Sequence, residues 1–348
     1  MDYAPLRKPH KDWNRRISHC PVCVEKSVDA APEVLDCIII GGGPAGITAA
    51  VYASRRGLST MMITGDTGGQ MRWSADVQNW TGVQHATGQE LVDVFMQHID
   101  SLDSQNGVFP LWVRRGAFVE SLEKSNTIFT ATLKNGEVIR SKTVTIACGK
   151  TPRTLGLTGE NKARKTKTLS FSATSDAPLY TGKNVMIIGG GNSALDIALQ
   201  LTHYAKSITI ATNIDHLRGE ECLRQKVLNH DKITVLYNTE TKGLELNSED
   251  KVKAVVMRVG ENAEARTIAC DGVFYAIGQT PNTQWLGDFL EKNKYGEIVV
   301  NKRCQTSVAG CFAGGDCTDQ PHKQIVVAAG EGAICALECH EFVQHGSV

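Results

Sequence analysis

One local pattern occurs twice and constrains the fold more than anything else in the chain. The apolar run Val34-Leu35-Asp36-Cys37-Ile38-Ile39-Ile40 ends in Gly41-Gly42-Gly43-Pro44-Ala45-Gly46 and continues into a helix-like stretch from Ile47 to Ala53. Further on, Asn184-Val185-Met186-Ile187-Ile188 ends in Gly189-Gly190-Gly191-Asn192-Ser193-Ala194 and continues into Leu195 to Leu201. A nearly unbroken apolar run suits a parallel strand buried on both faces. In each turn the first Gly permits the tight bend and the second lets backbone approach a pyrophosphate. The third position, Gly46 or Ala194, lets the helix lie close to its strand. A single turn of this kind is a weak signal, because it also serves as a plain connection. Two, each placed between strand and helix, predict two dinucleotide sites and an α/β fold of two Rossmann-like domains, each a three-layer ββα arrangement.

Two further strand-like segments run into Gly and then Pro: Thr143 to Pro152 and Gly272 to Pro281. They bracket the second dinucleotide unit. This predicts an inserted domain at 153–281, an outer domain made of 34–152 and 282–348, and hinge strands at the two Pro-containing crossings. Residues 1–33 show no helical or strand period and read as an arm.

Composition narrows the partners. The 348 residues carry 37 basic and 37 acidic side chains, with a pI near 7.1. The long-range positive field that nucleic acid or an anionic membrane requires is therefore not expected, and a small-molecule or protein substrate fits better. No apolar run approaches the roughly 18 residues of a membrane span, and the polar N-terminus is unlike a secretory leader. Eleven cysteines is an odd number, and most lie in apolar patterns where Cys acts as a small hydrophobe. That profile predicts a reduced, cytoplasmic setting.

With these motifs in place, the chain from 34 to about 343 resembles the low-molecular-weight thioredoxin reductase family, a class of pyridine nucleotide-disulfide oxidoreductases. Within it, the resemblance is nearest to the flavoprotein component of alkyl hydroperoxide reductase. The supporting segments are Gly68-Gly69-Gln70, Val77-Gln78-Asn79-Trp80, Phe171 to Tyr180, Gly310 to Cys317 and Pro321 to Ala333. The resemblance implies FAD in the outer domain and NADH or NADPH in the inserted one. It places Gly41, Gly43, Pro44, Ala45 and Gly46 at the FAD pyrophosphate, Asp316 at ribityl or ribose hydroxyls, and the neutral amides of Gln70, Asn79 and Gln324 at the flavin edge. Gly69, Gly149, Lys323 and Ile325 complete that expected set. For the nicotinamide nucleotide it implies Gly189, Gly191, Asn192, Ser193, Ala194, Arg218 and Gly278. No resident metal is expected in these domains.

NADPH-using members carry a His-Arg-Arg cluster after the second strand of the inserted unit, because a 2′-phosphate needs bidentate cations. Here that triplet is Thr212-Asn213-Ile214, with Asp215 next to it and only Arg218 retained. NADH is favoured on this ground. A flavin charged by a low-molecular-weight thiol such as glutathione is the alternative.

The largest departure lies in Ser170-Phe171-Ser172-Ala173-Thr174-Ser175-Asp176-Ala177-Pro178-Leu179-Tyr180. The family segment resembles Tyr-Cys-Ala-Thr-Cys-Asp-Gly-Pro-Leu-Tyr, whose cysteines exchange electrons with flavin and substrate. A hydroxyl has no disulfide state, so Ser172 and Ser175 cannot carry two electrons. The untouched spacer and Asp176 favour engineered replacement of two cysteines over natural loss. By resemblance, position 175 would face the flavin, 172 would attack a partner disulfide, and Asp176 would act as general acid. The implied activity is disulfide reduction by a homodimer, with a thioredoxin-like, peroxiredoxin-like or small-molecule disulfide as substrate. Natural Ser at both positions would instead suit a dithiol-free flavin oxidoreductase serving an electron carrier, and an FAD-binding scaffold is a third reading. Cys20 and Cys23 have redox-pair spacing; a mobile relay, a zinc half-site and inert tail thiols all stay open.

Overall fold

The computed structural model describes residues 31–74, 77–103, 109–260 and 264–346. The arm carrying Cys20 and Cys23 lies outside them.

The first sheet is built on β1 (Val34–Ile40), β2 (Thr60–Thr64), β3 (Leu111–Arg115), β4 (Val119–Ser125), β5 (Ile128–Leu133) and β6 (Val138–Ile146), in the order β3-β2-β1-β6-β5-β4. β1 lies parallel to both β2 and β6. β6 is long enough to serve two partners on its other edge. Residues 138–141 pair antiparallel with β5, and Val144 to Ile146 pair parallel with the late strand β17 (Cys311–Ala313). Side chains of β1 alternate between two cores, as the period of two requires. Cys37 and Ile39 pack toward the helices, while Ile38 and Ile40 pack toward the β4–β5 side.

Helix α1 (Pro44–Arg55) follows β1 directly, and α2 (Gly88–Leu102) opens with a capping box between Thr87 and Glu90. The chain leaves this sheet at β7 (Lys150–Pro152) and passes through α3 (Glu160–Lys165), β8 (Leu169–Ser170) and α4 (Ala173–Asp176). A second sheet then forms from β9 (Asn184–Ile188), β10 (Ser207–Ala211), β11 (Ile233–Leu236) and, after α5 (Asn192–Leu201) and α6 (Glu221–Leu228), a three-stranded antiparallel sheet of β12 (Thr239–Leu246), β13 (Val252–Val259) and β14 (Ala265–Ala269). With β15 (Gly272–Tyr275), the parallel sheet reads β11-β10-β9-β15-β8. One of its faces packs Ile187 and Ile210 against Ala198 and Leu201 of α5, and the other packs Met186 and Tyr275 against Val255 and Met257 of β13. Helix, parallel sheet and antiparallel sheet are thus three successive layers.

The return crossing, β16 (Gln279–Pro281), pairs antiparallel with β7, Gln279 opposite Pro152. The two Pro-containing segments therefore form one two-stranded ribbon between the sheets. The last helix, α7 (Ile325–His345), packs on α1 through small residues. A Cβ on Gly332 would meet the Ala45 carbonyl oxygen at 2.0 Å, so only Gly allows this approach. Among the described residues, no helix is long and apolar enough to cross a membrane.

Candidate functional site

A cavity of about 780 Å³ opens where β1 gives way to α1. Gly41, Gly43, Pro44 and Ala45 line it, together with Gly69, Gln70 and Asn79, Gly149 after β6, and Asp316, Lys323, Gln324 and Ile325 from the end of the chain. The opposite wall carries Ser172, Ser175 and Asp176. Segments far apart in sequence are thus brought to one space. Gly46 does not line it and instead sits beneath the turn.

The bare backbone of the first turn is enforced locally. Gly41 has φ +125°, and a Cβ there would lie 2.1 Å from the Ala147 carbonyl oxygen. A Cβ on Gly46 would lie 2.0 Å from the Gly41 carbonyl oxygen. Gly43 is the N-cap of α1, extended at φ −82°, ψ −177°, with no side-chain cap on the helix and nothing within 4 Å of where a Cβ would stand. An open cradle at a helix N-terminus suits a diphosphate.

Charge deepens toward the other end. The Asp316 carboxyl is pushed above its ordinary range by burial, partly offset by Lys323 and Lys150, and it accepts a hydrogen bond from Gln70 Nε2 at 3.2 Å. Burial lowers the Lys323 ammonium, whose Nζ donates to the Thr318 carbonyl at 2.6 Å. Asn79 Nδ2 donates to Gln324 Oε1 at 3.2 Å. Several participants were not singled out from sequence. Lys150 forms a largely buried ion pair with Glu297. The Glu331 carboxylate accepts the Gly315 N–H at 2.6 Å, and burial raises its pKa. At the turn end, Phe118 is exposed and lies 5.5 Å from Lys134 Nζ, both residues bordering the cavity. Nothing in the local sequence of these residues marks them, because each acts through a contact distant in the chain.

On the opposite wall Ser172 is the exposed N-cap of α4, and Ser175 is half-buried within it. Ser175 Oγ donates to Asp176 Oδ1 at 3.0 Å, and Ser170 Oγ donates to Asp176 Oδ2. Two contacts tie this wall to the first. Gln279 Nε2 donates to Gln70 Oε1 at 3.3 Å. The Arg164 guanidinium lies 4.7 Å from the Trp73 ring centre and 5.0 Å from that of Phe171.

The model of the pyridine nucleotide-disulphide oxidoreductase family matches residues 35–332. The chain belongs to that family. It is 33% identical over 314 residues to the NADH dehydrogenase of Bacillus subtilis strain 168, covering 90% of this chain and 60% of that one. It is 34% identical over 311 residues to a component of the alkyl hydroperoxide reductase of Staphylococcus aureus strain NCTC 8325, covering 89% of this chain and 59% of the relative. The chain therefore spans about three fifths of the length of these curated relatives. Among solved structures, thioredoxin reductase from Streptococcus pyogenes is 30% identical with a TM-score of 0.79, covering 90% of this chain and 99% of that one. The expected fold class and the resemblance to thioredoxin reductases are both borne out. FAD and a nicotinamide nucleotide are the cofactors the family implies.

The second turn repeats the geometry of the first. Gly189 has φ +131°, and its Cβ would lie 2.4 Å from the Ala276 carbonyl oxygen. Gly191 is an extended N-cap at φ −94°, ψ −176° with open space around it, and Ala194 is wholly buried against the strand. Asn192 Oδ1 accepts the Glu220 N–H at 2.7 Å, and the Gly190 carbonyl accepts the Arg218 N–H at 2.7 Å. Ser193 and the Arg218 side chain are exposed. Asp215 pairs with His216 at 2.6 Å, which holds its carboxyl low. Gly278, at φ +91°, accepts the Arg153 N–H on the connecting ribbon. None of these residues lines the large cavity, so the two nucleotide-type turns address separate spaces.

Proposed function

We propose that this protein is an FAD-dependent thiol-disulfide oxidoreductase of the thioredoxin reductase type, in which positions 172 and 175 are the dithiol positions. One cavity is lined both by the Gly41 to Ala45 turn and by the 172/175 segment, and that convergence supports the assignment above all else. Bound FAD would supply a two-electron carrier between a nicotinamide donor and a disulfide. The chain's own residues have defined tasks. Gly41, Gly43 and the first turn of α1 receive the diphosphate; Asp316, Gln70, Asn79 and Gln324 fix the polar edge. Lys323 and Lys150 offset buried negative charge. Asp176, which accepts hydrogen bonds from the Ser170 and Ser175 hydroxyls, would be the general acid–base group beside a thiolate if sulfur stood at 172 and 175. Residues 34–152 with 282–348 would form the FAD domain, and 153–281 the nicotinamide domain.

NADH is the favoured donor. Asn213 is exposed and Thr212 buried, so neither offers the bidentate cation a 2′-phosphate calls for, and Asp215 opposes one. Partners of thioredoxin or peroxiredoxin type, and a homodimer, belong to the same proposal, as does replacement of cysteine by serine at 172 and 175.

A second reading has its own support. The Ser175 hydroxyl is used in the Asp176 network, as a natural serine would be, which fits a flavin oxidoreductase with no disulfide step. Anaerobic titration of the flavoprotein with NADH, NADPH and reduced glutathione in parallel tests the assignment. Bleaching by NADH at a catalytic rate is expected; a protein that binds no flavin overturns both readings.

A further inference from the structure

Two lysines share one carboxylate at the cofactor cavity. Lys150 opens β7, opposite Pro281 in the connecting ribbon, and Lys323 immediately precedes Gln324, the N-cap of α7. Both lysines border the cavity, whereas Glu297 stands behind them and does not. Glu297 Oε1 pairs with the Lys150 ammonium and lies 3.8 Å from that of Lys323. Its other oxygen, Oε2, accepts a hydrogen bond from Asn293 Nδ2 at 2.6 Å, and Asn293 Oδ1 accepts the Glu297 N–H at 3.1 Å. The carboxylate is therefore held in a tight turn with both oxygens engaged, and it gives Lys150 a fixed place.

The side chains of Lys150, Glu297 and Lys323 are 12%, 14% and 22% exposed, so solvent and salt screen their charges little. Two ammoniums on one carboxylate leave this group with a surplus of positive charge, on the wall that also carries Asp316 and Gln324. The other acids of the region oppose it weakly, because burial raises the carboxyls of Asp316 and Glu331.

We propose that Lys150, fixed by Glu297, sets the reduction potential of the bound flavin: together with Lys323 it puts a second cation on the cavity wall and so favours flavin that has taken up electrons. A flavin that gains two electrons and one proton gains one negative charge, and a cation near the ring stabilises that charge. The hydride of a nicotinamide donor supplies both electrons and the proton, so the step balances. The role rests on the cavity holding FAD.

The test is an anaerobic dithionite titration of the flavoprotein against a reference dye at neutral pH, which reads the potential without a nicotinamide donor or a disulfide. Lys150→Gln keeps a hydrogen-bonding group beside Glu297 and removes the charge. It should move the equilibrium between flavin and dye about tenfold toward oxidised flavin. Lys150→Arg, which keeps the charge, should restore the parent value. In a Glu297→Gln background, where no buried carboxylate is left without its cation, Lys150→Gln should have a smaller effect, because Lys150 is no longer fixed. Lys142→Gln removes an ammonium from a pair with Asp36 that does not border the cavity, and should leave the equilibrium unchanged. Flavin bound to Lys150→Gln with an unshifted equilibrium, a shift that arginine does not restore, or an equal shift in Lys142→Gln overturns this role and leaves the proposed function standing. A parent protein that binds no flavin removes both.

Discussion

The Arg164 guanidinium lies 4.7 Å from the ring centre of Trp73, so a cation from the segment before β8 rests on an aromatic ring from the turn after β2. With the Gln279 to Gln70 hydrogen bond, it joins the segments on either side of the 170–176 stretch to the 69–73 turn along the rim of the cavity. An exposed cation–π contact contributes about 0.5–1 kcal/mol. Trp73→Ala should therefore let the 172/175 wall separate about 2–5-fold more often. The measurement is alkylation of a cysteine introduced by Ser175→Cys, located by peptide mass. Faster alkylation in the Trp73→Ala background is expected, and an unchanged rate would show that the contact does not hold the wall.

The two glycines of the first turn make opposite demands. Gly41→Ala puts a Cβ 2.1 Å from the Ala147 carbonyl oxygen in a backbone conformation of positive φ. It should cost roughly 1–3 kcal/mol of strain and lower the melting temperature even without flavin. Gly43→Ala meets open space at an ordinary φ, so the apoprotein should melt unchanged while flavin affinity falls at least about tenfold because the methyl occupies the diphosphate's place. Calorimetry of the apoproteins, with flavin-binding titrations, separates the two.

Asp316 gives a pH signature. Its carboxyl is raised by burial, as is that of Glu331, so the folded apoprotein binds protons more tightly than the unfolded chain. The resulting stability is fully present below the ordinary carboxylate range and is lost as pH rises through the raised pKa. Asp316→Asn should then stabilise the apoprotein at neutral pH and not in acid, while weakening flavin binding. Denaturant titrations at pH 4 and pH 7 check this, and an equal effect at both would remove the electrostatic explanation.

Donor choice should respond to charge at the second turn. Asn213→Arg together with Ile214→Arg supplies the fork that a 2′-phosphate accepts, a contact of about 1.5–3 kcal/mol when charge-assisted. The kcat/KM for flavin reduction by NADPH should rise about tenfold or more, with little gain for NADH. Parallel stopped-flow traces with the two nucleotides read this out, and no change in their ratio would place the 2′ position elsewhere.

Both dinucleotide turns were legible because their determinants are local. Strand, glycine spacing and helix lie within some twenty residues, and the positive φ at Gly41 and Gly189 is what those spacings demand. The Pro-containing crossings were legible for the same reason, and they meet as the β7–β16 ribbon. The convergence of Gln70, Asn79, Asp316 and Gln324 on one cavity was available only through the family resemblance. What stayed hidden depends on long-range register. Lys150 finds Glu297, and Arg164 finds Trp73, only once segments far apart in the chain have folded together. The antiparallel β12–β14 layer was likewise not read strand by strand, since strands such as Ala265–Ala269 are largely exposed and bury no alternating apolar face.

The most direct test is to place sulfur where the cavity wall expects it. Ser172→Cys with Ser175→Cys, in the flavin-loaded protein, should confer nicotinamide-dependent reduction of a disulfide such as a thioredoxin or a small aromatic disulfide, well above the unsubstituted chain. A double variant that binds flavin and is bleached by NADH, yet reduces no such disulfide faster than its parent, would contradict the assignment of 172 and 175 as the dithiol positions.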